Sequence, residues 1–149
     1  MFNSVFELYS KASSAAESKR CLYALAKTTD HSRIAQLLDF TLKSVRSQDW
    51  RAIFISIAHN PHGTALTWEF LKANWAVIYN EYEKSSLLAS LIRGVSSAFS
   101  TQSQLDDMRV FFDMNPVPYA QNALEASYEI VAGNVLWLQH NIRILESIS

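Results

Sequence analysis

Apolar residues return every three or four positions along almost the whole chain. That is the helical period, because about 3.6 residues complete one turn. Phe2, Val5, Phe6 and Tyr9 form a first stripe. Leu22, Leu25 and Ala26 form a second, behind the small and charged residues of "SSAAESKR". Asp30 stands where an N-cap should, ahead of Ile34, Leu37, Leu38 and Leu42. Ser47 precedes Trp50, Ile53, Phe54 and Ile57. The run "NPHGT" interrupts the pattern: Pro61 has no N–H to continue a helix, and Gly63 can take positive φ. From Thr64 the next helix carries Leu66, Phe70, Leu71, Trp75 and Ile78, and another carries Leu88, Leu91, Ile92, Val95 and Phe99.

After "FST", Ser103 with Asp106 reads as a capping box ahead of Leu105, Met108 and Phe112. "NPVP", Asn115 to Pro118, is the clearest stop. Two further helices are predicted beyond it, one with Leu124, Tyr128 and Val131, the other with Val135, Leu138, Ile142 and Leu145, and Gly133 lies near their junction. The reading is all-α, about nine helices joined by short turns, and no segment alternates long enough to predict a strand. Such a series makes either a compact bundle or a stacked array of helix pairs. Breaks near Thr29, Asn60 and Thr101 suggest an irregular repeat, though internal similarity is too weak to decide between the two.

Composition fits this picture. Three glycines and three prolines in 149 residues leave few sites for the turns of an all-β fold. The length suits one domain, residues 1–149, with a real core. A net charge of −1 with mixed signs offers no field for a nucleic-acid backbone. Cys21 is the single cysteine, so no intrachain disulfide can form, and it reads as a small buried thiol. The N-terminus is amphipathic and carries Glu7, unlike a secretory h-region, and runs such as "AIFI" are too short for a bilayer.

Catalytic chemistry is hard to place. His31, His59, His62 and His140 do not form His-Glu-x-x-His. His59 and His62 flank a turn that disfavours one shared metal geometry, and three or four ligands are the usual requirement for a protein metal site. "GVSSA" lacks the second glycine of a nucleophile elbow. Asp106 and Asp107 project about 100° apart on a helix, which suits an acidic first turn rather than a shared-proton pair. Trp68 and Trp75 lie two turns apart on one predicted face and read as core wedges.

Four stretches taken in order carry a resemblance. They are "VRSQDW" from Val45, "HNPHGTALTWEFLKANW" from His59, "FSTQSQLDDMRVFF" from Phe99, and "ALEASYEIVAGNVLWLQHN" from Ala123. Arg46, Gln48 and Asp49; Asn60, Pro61 and Gly63; Trp68, Phe70, Leu71, Asn74 and Trp75; Phe99, Ser100 and Thr101; and Leu124, Glu125, Asn134, Trp137 and Leu138 match the pattern of one family. The chain thereby resembles the C-terminal helical domain of the M1 zinc aminopeptidases. Thr64 departs from it, since many relatives carry a basic or aromatic residue there. The family's Gly-Ala-Met-Glu-Asn loop and zinc motif are absent, so only the last part of such an enzyme is matched.

The resemblance implies an α-solenoid of antiparallel HEAT-like helix pairs that covers a catalytic domain and closes a peptide chamber. It implies no catalytic residue, no metal and no cofactor in this chain, with zinc held by the missing catalytic domain. The partners it implies are that catalytic domain and peptide substrates, with self-association of the isolated segment. Lys27 and His59 match positions that hold a peptide's C-terminal carboxylate in relatives, and Arg46 is a third substrate-binding candidate from its motif, with a structural ion pair or cap with Asp49 as its competing reading. The competing reading of Lys27 and His59 is charge at helix C-termini. The compartment would be cytosol, endoplasmic reticulum or the outer face of a membrane. The alternative is a free-standing helical-repeat binding module derived from the same domain. A polar N-terminal cap would favour that alternative, whereas "MFNSVFELYSK" reads as a docking helix more than a cap and favours the first reading.

Overall fold

A computed structural model describes residues 2–148. The described residues form nine α-helices and one 3-10 turn, with no strand among them. The helices are α1 (Phe2–Ser10), α2 (Ala15–Leu25), α3 (His31–Ser44), α4 (Ser47–Ala58), α5 (Thr64–Ala73), α6 (Trp75–Tyr82), α7 (Ser86–Ser96), α8 (Gln102–Met114) and α9 (Gln121–Ile148), and the 3-10 turn is Pro118–Ala120. The Cα positions group into two compact units, Met1–Trp75 and Ala76–Ser149.

In the first unit α4 packs against α2 and α3, and α5 covers α3 and α4. The core is Leu22, Leu25, Ile34, Leu37, Ile53 and Ile57, all buried. Ser14 caps α2 through Glu17 N, and Asp30 caps α3 through Ser32 N and Arg33 N. The α3–α4 link is fixed by Trp50, whose Nε1 donates to Val45 O at 2.8 Å. α1 lies on α2 and lodges Phe6 and Tyr9 edge-on to Phe40, ring centres 4.8 and 5.2 Å away. The aromatic positions of the predicted docking helix are thus engaged within the unit, apart from the side chain of Phe2, which lies outside the described residues.

In the second unit α9 packs against α7 and α8. Leu91, Ile92, Val95, Leu105, Met108, Val131 and Val135 form its core. Ser85 caps α7 through Leu87 N. Thr101 caps α8 in a capping box with Gln104, two residues before the predicted Ser103–Asp106 pair. Asp106 lies beyond the first turn and accepts from Gln102 Nε2 instead.

Other boundaries differ for identifiable reasons. The segment from Thr64 divides at Asn74, whose Nδ2 donates back to Phe70 O at 2.9 Å and ends α5. Trp68 and Trp75 therefore belong to two helices, yet both are buried. The last two predicted helices are one helix of 28 residues running through Gly133. Gly63 has φ −109°, so its role is not positive φ. A Cβ there would sit 2.3 Å from Ile57 O, so only glycine lets the turn close against α4. Cys21 is half-buried rather than buried.

Candidate functional site

Two short chain reversals meet in the first unit. One joins α2 to α3 through Lys27 and Thr28, and the other is the turn after α4. Asn60 joins them: its Nδ2 donates to Ala26 O at 2.9 Å and to Thr28 O at 2.7 Å. Its Oδ1 accepts from His62 N at 3.1 Å. The carbonyl of the α2 C-cap, Ala26, and that of Thr28 in the link beyond it are satisfied this way. Thr64 closes the same turn, its hydroxyl donating to Ala58 O at 2.6 Å.

The clamp brings two predicted residues to one end of the unit. Lys27 lies between the two clamped carbonyls, and His59 directly precedes Asn60. Both side chains are exposed. His31, the first residue of α3, lies beside His62, with ring centres 5.8 Å apart. This end therefore collects Lys27, His31, His59 and His62.

Arg46 is elsewhere. It occupies the N-cap position of α4, at the opposite end of that helix from His59. Its guanidinium is 3.6 Å from Asp49, which Lys19 also reaches at 3.0 Å. These three charges line a cleft of about 370 Å³ with Ser14, Ser18 and Ser44. Arg46 thus belongs to an ion network at the α3–α4 link, in keeping with its structural reading.

The second unit repeats the clamp with other residues around it. Asn134 Nδ2 donates to Ser97 O at 3.3 Å and to Phe99 O at 3.0 Å, just beyond α7. The residue between those carbonyls is Ala98, and the one before Asn134 is Gly133. Where the first unit has Lys27 and His59, the second has neither charge nor bulk. A second cleft, of about 290 Å³, lies between α7 and the start of α9 and is lined by Arg93, Tyr119 and Gln121. Among the described residues no three histidine, cysteine, aspartate or glutamate side chains converge on a metal position. No helix among them is long and apolar enough to cross a membrane.

The sequence matches the family model of the ERAP1-like C-terminal domain over residues 1–133. The chain belongs to that family. Among its relatives, endoplasmic reticulum aminopeptidase 2 of Bos taurus is 27% identical across 97% of this chain. Endoplasmic reticulum aminopeptidase 1 of Homo sapiens is 29% identical across 90% of it, and aminopeptidase N of Rattus norvegicus is 30% identical across 94%. The chain spans only 15 to 16% of the length of these relatives. It corresponds to a C-terminal domain of aminopeptidases.

Proximity in space was not visible in the sequence for two groups. The asparagine clamps join positions more than thirty residues apart, and nothing in local periodicity signals them. His31 is paired with His62 across a similar gap.

Proposed function

We propose that this chain is the covering domain of an M1 zinc metalloaminopeptidase, that it forms part of the peptide chamber, and that Lys27 and His59 hold the substrate's C-terminal carboxylate. The observation that carries the reading is the end of the first unit where the turns bearing Lys27 and His59 are joined. Asn60 brings Lys27 and His59 together on adjacent turns. The clamp itself does not need them, because Asn134 makes the same pair of bonds with Ala98 and Gly133 at those positions. The residues at these two positions are therefore not dictated by the clamp, and a peptide carboxylate forms strong charge-assisted hydrogen bonds with basic side chains.

Zinc chemistry belongs to the rest of the enzyme in this reading. A catalytic zinc takes three protein ligands, and no such set occurs among the described residues. The solenoid of HEAT-like helix pairs is the architecture that would carry these two units over a catalytic domain.

The test is peptide trimming by the whole aminopeptidase that contains this segment, with Lys27→Ala and His59→Ala. A lost charge-assisted contact should raise KM for peptides roughly tenfold to a hundredfold. Hydrolysis of a single amino-acid amide, which has no distal carboxylate, should not change. Equal peptide KM in wild type and both variants refutes the assignment of these residues.

A further inference from the structure

We propose that His31 and His62 form a two-histidine site for a borderline divalent transition-metal ion, and that the bound ion staples the turn after α4 to the first turn of α3. The two rings come from different elements and lie 5.8 Å apart, tilted by 55°. An ion held about 2.0–2.1 Å from one nitrogen of each ring requires ring centres no more than about 6.5 Å apart. The observed separation lies within that limit.

The backbones that carry the pair are held in place before any ion arrives. His31 opens a helix whose start is fixed by Asp30, which accepts from Ser32 N and Arg33 N at 2.9 and 3.3 Å. His62 is fixed by its own N–H, which donates to Asn60 Oδ1, while the amide of Asn60 grips the α2–α3 link. One asparagine therefore sets the distance between the two histidine backbones, and little chain entropy is left to lose on chelation. Neither imidazole has a hydrogen-bond or ion-pair partner among the described residues, and both are exposed, so a nitrogen of each is available.

Imidazole selects zinc, nickel and copper over magnesium and calcium, which prefer oxygen. Two protein ligands leave the remaining positions to water, so the ion exchanges readily and carries open coordination sites. Its charge would add to Lys27 and His59 at the same end of the unit. The fold does not demand these histidines: in the second unit the first residue of the matching helix, α8, is Gln102. The inference stands on this geometry and does not depend on the aminopeptidase reading.

The experiment is calorimetric titration of the 149-residue chain with nickel chloride and zinc chloride, with magnesium chloride as the comparison. One ion per chain should bind, with a melting temperature that rises with nickel or zinc and not with magnesium. His31→Gln and His62→Ala should each weaken binding by roughly tenfold or more, since even the loss of a supporting group costs that much. His31→Gln retains the residue type that α8 already tolerates, so a folding defect is avoided. His59→Ala and His140→Ala should leave the affinity unchanged. The proposal is overturned if the wild-type chain shows no saturable nickel or zinc binding at millimolar ion. It is equally overturned if His31→Gln binds as well as wild type, or if His59→Ala or His140→Ala abolishes binding.

Discussion

The two units of this protein use one local plan and leave it differently. In each, a serine caps a first helix, a short link leads to a second, and a third packs on both. Ile34, Leu37 and Thr41 on α3 have the same spacing as Leu105, Met108 and Phe112 on α8, and all six are buried. Trp50, Ile53, Ile57 and Asn60 match Leu124, Ser127, Val131 and Asn134. The asparagine then closes the first link in both units. Past it they diverge. In the first, Pro61 and Gly63 turn the backbone into α5, which covers α3 and α4. In the second, Val135 continues α9, and Leu136, Trp137, Leu145 and Ile148 along it are exposed. The contrast separates what the scaffold requires from what one copy adds. The asparagine is required, and Lys27, His31 and His59 are additions.

The largest effect should come from the glycine that allows the first unit's turn. In Gly63→Ala the new Cβ would press on Ile57 O at 2.3 Å, a backbone atom that cannot rotate away. The cost should be about 3 kcal/mol, read by urea denaturation. The same change at Gly133 meets nothing within 4 Å and lies inside α9. There alanine should stabilise by about 0.5–1 kcal/mol. Opposite signs for one substitution would confirm that the turn, not the glycine count, distinguishes the two exits. A neutral Gly63→Ala would break the comparison.

The clamps come next. Asn60→Asp and Asn134→Asp keep the shape but set a carboxylate against two carbonyls in place of an amide. Each should cost roughly 2–3 kcal/mol. Asn60 should cost more, since its bonds measure 2.9 and 2.7 Å against 3.3 and 3.0 Å for Asn134. If Asn134→Asp leaves the melting temperature unchanged, the second clamp carries no stability and the equivalence of the units fails.

Periodicity made the fold class legible, but the helix boundaries only in part. The expected nine helices are matched among the described residues by two differences that offset each other. One predicted helix divides at Asn74, the C-cap of α5, whose amide donates to a carbonyl one turn back. Gly133 fails to split another, because an interior glycine costs only about 1 kcal/mol and α9 has packing to spare on its first half. The site was legible only through resemblance. Lys27 and His59 carry no local signal that places their two turns side by side, and the joining of those turns depends on hydrogen bonds spanning more than thirty residues. Closeness in the chain groups His62 with His59, whereas its ring lies beside that of His31.

The smallest effect in stability is the most informative. Lys27 follows the C-cap of α2 and His59 is the C-cap of α4, so both could serve only the helix dipoles. In that case Lys27→Ala and His59→Ala should each destabilise by about 0.3–1 kcal/mol, and less at high salt. The second unit argues otherwise for Lys27. Ala98 holds the matching place just beyond α7, with its C-cap in the same right-handed conformation and the same clamp across it. The parallel is weaker for His59, since Gly133 lies within a continuing helix and has no exposed dipole end to complement. Lys27→Ala should therefore change stability by less than about 0.5 kcal/mol at any salt concentration. A salt-dependent loss near 1 kcal/mol would assign Lys27 to its helix. A null result in stability together with weakened handling of peptides would assign it to the ligand.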